Sequence, residues 1–245
     1  AKKWKSKDGT KEGFSAVSKT FMGDDFLPLT NKDLEEHLRG NIFLASYLID
    51  KKQECKYVVM ELNSEDVFKL QRALLELNIG ASYSLSSYNS IFAWIFFKEK
   101  ISSNISFSFL YFLQKKANIS VKLYPNSEFS TQEKLGSYIE LPLQLFYRNK
   151  NRTVFLDINT KKVFHDQWNY LENIKKASKE QIYSFAQVLK PQNIQRDLKS
   201  VDFPQNSIDI VLDSGINFPI QSLSKSFISK LKSFASFENP QIKLL

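Results

Sequence analysis

Cysteine is almost missing from this chain: Cys55 is the single thiol in 245 residues. One thiol rules out an intrachain disulfide and any zinc site built from four thiolates. With His37 and His165 as the two imidazoles, a conventional structural zinc site is almost excluded as well. A reducing cytoplasm is the natural compartment for such a composition. Glycine is scarce too, at 7 in 245, about 3% against roughly 7% in average proteins. Gly9, Gly13, Gly23, Gly40, Gly80, Gly136 and Gly215 fit neither G-x-G-x-x-G nor G-x-x-x-x-G-K-[ST]. The chain therefore carries neither a Rossmann phosphate turn nor a P-loop. The longest uninterrupted apolar stretch is 91–97, far short of the roughly 18 residues a membrane helix requires, so no membrane partner is expected. No signal peptide is read, because the lysine-rich start has no apolar run behind it. No nucleophile elbow and no Ser/His/Asp or Cys/His pattern is visible, which makes a hydrolase a poor fit.

What remains is an ordinary globular composition, 42% apolar and 24% charged. Its length suits one large domain or two small ones. Formal charge is +8, which invites a polyanion partner. Six lysines against Asp8 and Glu12 put +4 of that in residues 1–20, leaving +4 for the other 225 residues. Residues 1–20 are expected to be a flexible basic tail. A second basic group, Arg148, Lys150 and Arg152 in "YRNKNR", lies between two apolar segments. It reads as a hairpin tip, either placed to touch phosphates or simply solvated.

Periodicity and capping residues predict helices over 29–40, 64–80, 166–178, 179–189 and 224–237. Strands are predicted over 56–62, 91–98, 138–147, 153–158 and 207–213. Residues 106–118 read as a helix, with strand as the alternative because of their Phe and Tyr content. Interleaved strands and helices give an α/β or α+β class. Residues 190–245, which follow "LKPQN", are expected to form a smaller appended unit.

Two strand ends carry acids. Tyr57, Val59, Glu61 and Asn63 share one strand face by period two. A carboxylate there, followed two residues on by another oxygen donor, is how nucleotidyl-transfer sites hold Mg²⁺. An ordinary polar strand end is the competing reading. Asp157 ends "TVFLD" in the same way and reads equally as a strand-end or capping residue. His37 and His165 read as satisfied packing or surface groups, and Cys55 as an inert small hydrophobe.

Seven stretches in order carry a family resemblance: "FLPLTNKDLEEHLRG" (26–40), "CKYVVMELN" (55–63), "AWIFF" (93–97), "YPN" (124–126), "GSYIELPLQ" (136–144), "TVFLD" (153–157) and "DQWNYL" (166–171). Over 21–240 the chain resembles the primase domain of TOTE conflict systems, within the archaeo-eukaryotic primase superfamily. "ASFENP" (235–240) is similar to the junction where a helicase follows in that family. The resemblance implies a palm-like core over 21–189, a mixed or antiparallel sheet with packed helices. It also implies nucleic acid, DNA above RNA, as partner.

The departures from the family pattern bear on activity. The family's D-x-D stands here as Glu61 and Asn63. Its S-G-N-G-A-H is "SYNSIF", with Phe92 at the histidine position, Asn89 retained, and Tyr88 and Ser90 in place of the glycines. The third acid is kept as Asp157. Two carboxylates remain where three are usual, and an apolar ring stands for the phosphate donor. The expectation is an inactive primase-like module that needs no cofactor. It would bind nucleic acid through Asn89, Arg148, Lys150 and Arg152, or act as a scaffold beside a helicase in a defence, mobile-element, replication or repair setting. The alternatives are an active polymerase using Mg²⁺ or Mn²⁺ on a remodelled site of Glu61, Asp157 and Glu140, and a protein-interaction module.

Overall fold

The computed structural model describes residues 2–5, 12–15, 27–28, 30–88, 90–129, 138–187 and 241–244. In chain order they form β1 (Lys2–Lys5), β2 (Glu12–Ser15), β3 (Leu27–Pro28), α1 (Asn31–Leu38), β4 (Leu44–Tyr47), β5 (Glu54–Leu62) and α2 (Asp66–Glu76). Then come β6 (Ser82–Leu85), β7 (Ile91–Ser102), α3 (Ser103–Ala117), β8 (Lys122–Tyr124), β9 (Tyr138–Glu140), α4 (Leu145–Arg148) and β10 (Phe155–Asp157). β11 (Lys162–Val163), α5 (Gln167–Glu172), β12 (Lys176–Ala177), α6 (Lys179–Ala186) and β13 (Gln241–Leu244) complete them.

The apolar run at 91–97 becomes the first half of β7, buried on both faces. Period two sends Ile91, Ala93, Ile95 and Phe97 to one side and Phe92, Trp94 and Phe96 to the other. β7 pairs antiparallel with β5 and β6 and parallel with β12. The resulting sheet runs β11-β10-β6-β7-β5-β8, with β12 on β7. Its first face is covered by the apolar stripes of α2 (Val67, Leu70, Leu74), α3 (Phe109, Leu110, Leu113) and α6 (Ile182). A bulge between Cys55 and Tyr57 lets both Cys55 and Val58 face these helices. Cys55 is fully buried there, and burial pushes its thiol up to about 12, in keeping with the expected inert role.

The second face carries Tyr57, Val59, Phe92, Trp94, Phe96 and Phe155. Against it pack Leu34 and Leu38 of α1, Leu44 of β4 and Ile139 of β9. β4 and β9 belong to a separate four-stranded sheet, ordered β3-β13-β4-β9. The mixed α/β class and the sheet-and-helix core expected from the resemblance are both present.

Three local expectations change. Residues 138–147 do not form one strand. β9 stops at Glu140, because Pro142 has no N–H for a ladder and Leu143 takes a positive φ of 70°. Gln144 then caps α4, its Oε1 accepting from Tyr147 N at 3.1 Å. The Arg148–Arg152 stretch is therefore not a hairpin tip: β9 pairs with β4, whereas β10 pairs with β6 and β11. The helix expected over 166–178 ends at Glu172 and gives way to β12. Within the expected flexible tail, β1 and β2 pair as a two-stranded ribbon. Within the expected appended unit, β13 lies inside a sheet between β3 and β4. Residues 207–213, 224–237 and the 235–240 junction fall outside the described residues, as does Asn89.

α1 is fixed at both ends. Thr30 and Asp33 form a capping box, and Gly40 turns the chain at φ 81°. A Cβ on Gly40 would meet Leu145 Cβ at 3.2 Å and Phe146 N at 3.3 Å. His37, buried in the middle, accepts from Leu44 N through Nδ1 at 3.1 Å. Its Nε2–H donates to Pro142 O at 3.0 Å. The neutral ring thus ties α1 to β4 and to the β9–α4 connection. Burial holds its pKa down at about 4, against an ordinary 6.5. The unfolded chain takes up this proton before the folded one does, so the stability His37 contributes is complete above pH 6.5 and is lost as pH falls toward 4. Denaturant titrations of wild type and His37→Gln should show wild type losing about 3 kcal/mol more than the variant between pH 7 and pH 4.

Candidate functional site

The two sheets part at one end of β5 to leave a cavity of about 400 Å³. Register builds it. Glu61, one residue from the end of β5, lies opposite Phe92 on β7 and Lys122 on β8. Because Tyr57 and Val59 face the second sheet, Glu61 does too, by period two. β9 of that sheet brings Ile139 and Glu140 to the same cavity, and α4 brings Tyr147. Ser86, Tyr88 and Ser90, from the loop between β6 and β7, close a further wall.

Both oxygens of Glu61 are engaged. Oε1 accepts from Ser90 Oγ at 2.9 Å, and Oε2 accepts from the Tyr124 hydroxyl at 2.7 Å. Lys122 Nζ stands 3.8 Å from Oε2 as a looser ion pair. Burial and the adjoining Glu61 carboxylate hold the Tyr124 phenol far above its ordinary range, so it stays a donor. Ser90 occupies a position read as glycine in the family pattern. Its hydroxyl supplies a bond that a glycine could not make.

Glu140 is 9% exposed. Ser87 N and Ser87 Oγ both donate to it, each at 2.5 Å. Burial pushes its pKa up to about 7. The Ser87 bonds pull the other way, and the Glu61 charge adds to the rise. The cavity thus brings together two carboxylates from two different sheets. Phe92, expected from the resemblance at the family's histidine position, lines the same cavity and meets Trp94 and Tyr124 edge-on at 6.1 and 6.3 Å. Its ring offers no donor to a phosphate.

The other expected residues lie elsewhere. Asn63 Oδ1 accepts from Glu65 N at 3.0 Å and Asp66 N at 2.8 Å, so it holds the start of α2. Asp157 lies on β10, separated from β5 by β6 and β7. Three strand spacings put it about 14 Å across the sheet from Glu61. Its Oδ1 accepts from Asn159 N at 2.9 Å and fixes the β10–β11 turn. Arg148 is 3% exposed and donates inward to Leu143 O at 3.3 Å. Lys150 lies over the Phe146 ring, 3.9 Å from its centroid, and is exposed. Arg152 is half-buried.

A divalent ion held between transferring oxygens needs several carboxylates within one coordination sphere. The described residues do not fit one. Among the described residues no three His, Cys, Asp or Glu side chains gather around a common point. Glu61 is taken up by hydroxyls, Asn63 by a helix start and Asp157 by a turn. Sequence reading passed over Ser86, Ser87, Tyr124, Lys122 and Tyr147. Tyr124 and Lys122 were findable, since each sits at period two on a strand that a polar site must use. The inward aim of Ser87 depends on the approach of the second sheet, which no local pattern reports.

A family model described as "TOTE conflict system, Archaeo-Eukaryotic Primase domain" matches residues 1–185. A comparison with curated proteins finds no match.

Two outcomes follow from the geometry. The folded state keeps the Glu140 proton longer than the unfolded chain does, so wild type loses stability as pH rises from 4.5 through 7. Relative to wild type, Glu140→Gln should gain up to about 3 kcal/mol across that window, read by denaturant titration at matched pH values. Asp157→Ala should cost about 1 kcal/mol, the worth of a turn-fixing hydrogen bond, in the same assay.

Proposed function

The chain belongs to the archaeo-eukaryotic primase domain family of TOTE conflict systems, and from that premise we propose that it is a catalytically inactive member. It keeps the sheet of a primase and acts as a nucleic-acid-binding or scaffolding module. The observation that carries this reading is the state of Glu61: both its oxygens are hydrogen-bonded inside the cavity that Phe92 also lines. Phosphoryl transfer depends on metal ions and positive donors that neutralise charge as it develops. Each such group, when removed, costs on the order of 10²–10³ in rate. Here the histidine position is apolar, one aspartate position is an amide that starts α2, and the retained Asp157 lies on a distant strand. Any one of these losses removes most of the rate, and groups that act as a unit do not add. A remodelled site of Glu61, Glu140 and Asp157 draws no support from the strand order.

The basic excess supports nucleic acid as the partner, with DNA first. Within the 148–152 stretch the contact would fall on Lys150 and Arg152, the two basic side chains that reach the surface. Arg148 faces inward. No described helix is long and apolar enough to cross a membrane. A helicase would be the neighbour that the family setting provides.

Primer synthesis and extension assays with Mg²⁺ and with Mn²⁺ test the reading, and no product is expected. A product that disappears in Asp157→Ala or Glu61→Gln would overturn it. DNA binding should weaken as salt rises from about 50 to 200 mM. The double substitution Lys150→Ala with Arg152→Ala should flatten that dependence by one to two phosphate contacts. An affinity independent of salt would remove DNA from the proposal and leave a scaffold.

A further inference from the structure

The cavity beside Glu61 has the wrong charge for the ligand its position suggests. We propose that it binds an organic cation, an ammonium or guanidinium group, through the Glu61 and Glu140 carboxylates and the surrounding aromatic rings. The proposal rests on the inactive reading above, because it assigns a new occupant to a site that no longer serves nucleotide transfer.

Charge, walls and size lead to this class. Among the described residues, Lys122 is the one basic side chain of the lining, and it already faces Glu61 at 3.8 Å. A phosphate placed here would meet two acidic side chains and, among the described lining residues, one positive charge. A cation meets the reverse: Glu61 and Glu140, one from each sheet, against that one lysine, and its charge favours the ionised form of Glu140. The rest of the lining is unusually aromatic. Phe43, Tyr88, Phe92, Tyr124, Tyr138 and Tyr147 all border the cavity. Aromatic faces carry negative potential and attract ammonium and guanidinium groups, most strongly where water is partly excluded. A compact, strongly hydrated metal ion gains little from such rings, whereas an organic cation presents apolar surface to them and charge to the acids. A volume of about 400 Å³ falls within the range of small-ligand sites. Tyr88, 87% exposed, stands at the rim, where it can cover a bound group or leave the entrance open.

Calorimetric titration of the intact protein with agmatine, spermidine and N-acetyl-arginine amide tests this, with thymidine triphosphate as the anionic probe at the same ionic strength. Agmatine should bind, and each of Glu61→Gln and Glu140→Gln should weaken it about tenfold or more. Tyr88→Ala, at an exposed position that does not endanger folding, should weaken it about threefold to tenfold. Preference for spermidine would identify a free polyamine as the occupant. Preference for the arginine amide would identify a side chain of a basic partner protein. The proposal is overturned if agmatine binds no better than sodium chloride competes, if Tyr88→Ala and both glutamine variants bind it as wild type does, or if the triphosphate displaces it. Absent cation binding together with absent primer synthesis removes this inference alone. Primer synthesis abolished by Glu61→Gln removes the inactive reading along with it.

Discussion

β7 is the strand on which the rest of the molecule depends. It is buried on both faces and hydrogen-bonded to three partners, so neither its register nor its orientation can vary without exposing a row of aromatic or aliphatic side chains. One face anchors the helices. The other, through Phe92, Trp94 and Phe96, anchors the second sheet. Trp94 Nε1 donates to Ser84 Oγ at 2.8 Å, which satisfies its polar edge inside that layer. The cavity exists because this layer ends: beyond Phe92 the facing residues change from apolar to acidic, and the sheets no longer close on each other.

That boundary explains how acids come to be tolerated so deep. An unpaired buried carboxylate is costly. Glu61 meets the cost with two hydroxyl donors, and Glu140 with a backbone N–H and a hydroxyl from Ser87. The loop from Ser86 to Ser90 therefore serves both acids, one with Ser90 and the other with Ser87. A glycine-rich loop would leave those bonds unmade and free the backbone for a phosphate. In this chain Ser87 and Ser90 direct those bonds to the protein's own carboxylates.

Much of the core was legible in the sequence. The apolar runs at 91–97 and within 56–62 each marked a buried strand, and the periodicity over 64–80 marked a helix. Glu61 was singled out as a strand-end acid and Phe92 only through the family resemblance, and both line one cavity. Asp157 was read as a partner of Glu61 from likeness of context and from the family's third acid, and strand order separates them. Sequence reports what ends a strand, not which strands lie between two ends. The 138–147 stretch misled for a related reason: its apolar residues serve β9, a turn at Pro142 and α4 in succession, and only Pro142 announced the break. Arg148 was read as surface from its basic neighbours, although it sits one turn into a helix whose inner side faces the core.

β13 lies between β3 and β4, so residues more than two hundred positions apart in sequence share one ladder. Closing so wide a chain loop is entropically demanding and belongs late in assembly. Until it happens, β4 offers an unsatisfied rim on the side away from β9, a template for any extended strand nearby. A chain interrupted before residue 241 would keep that rim bare permanently, and its first failing would be self-association rather than loss of the cavity.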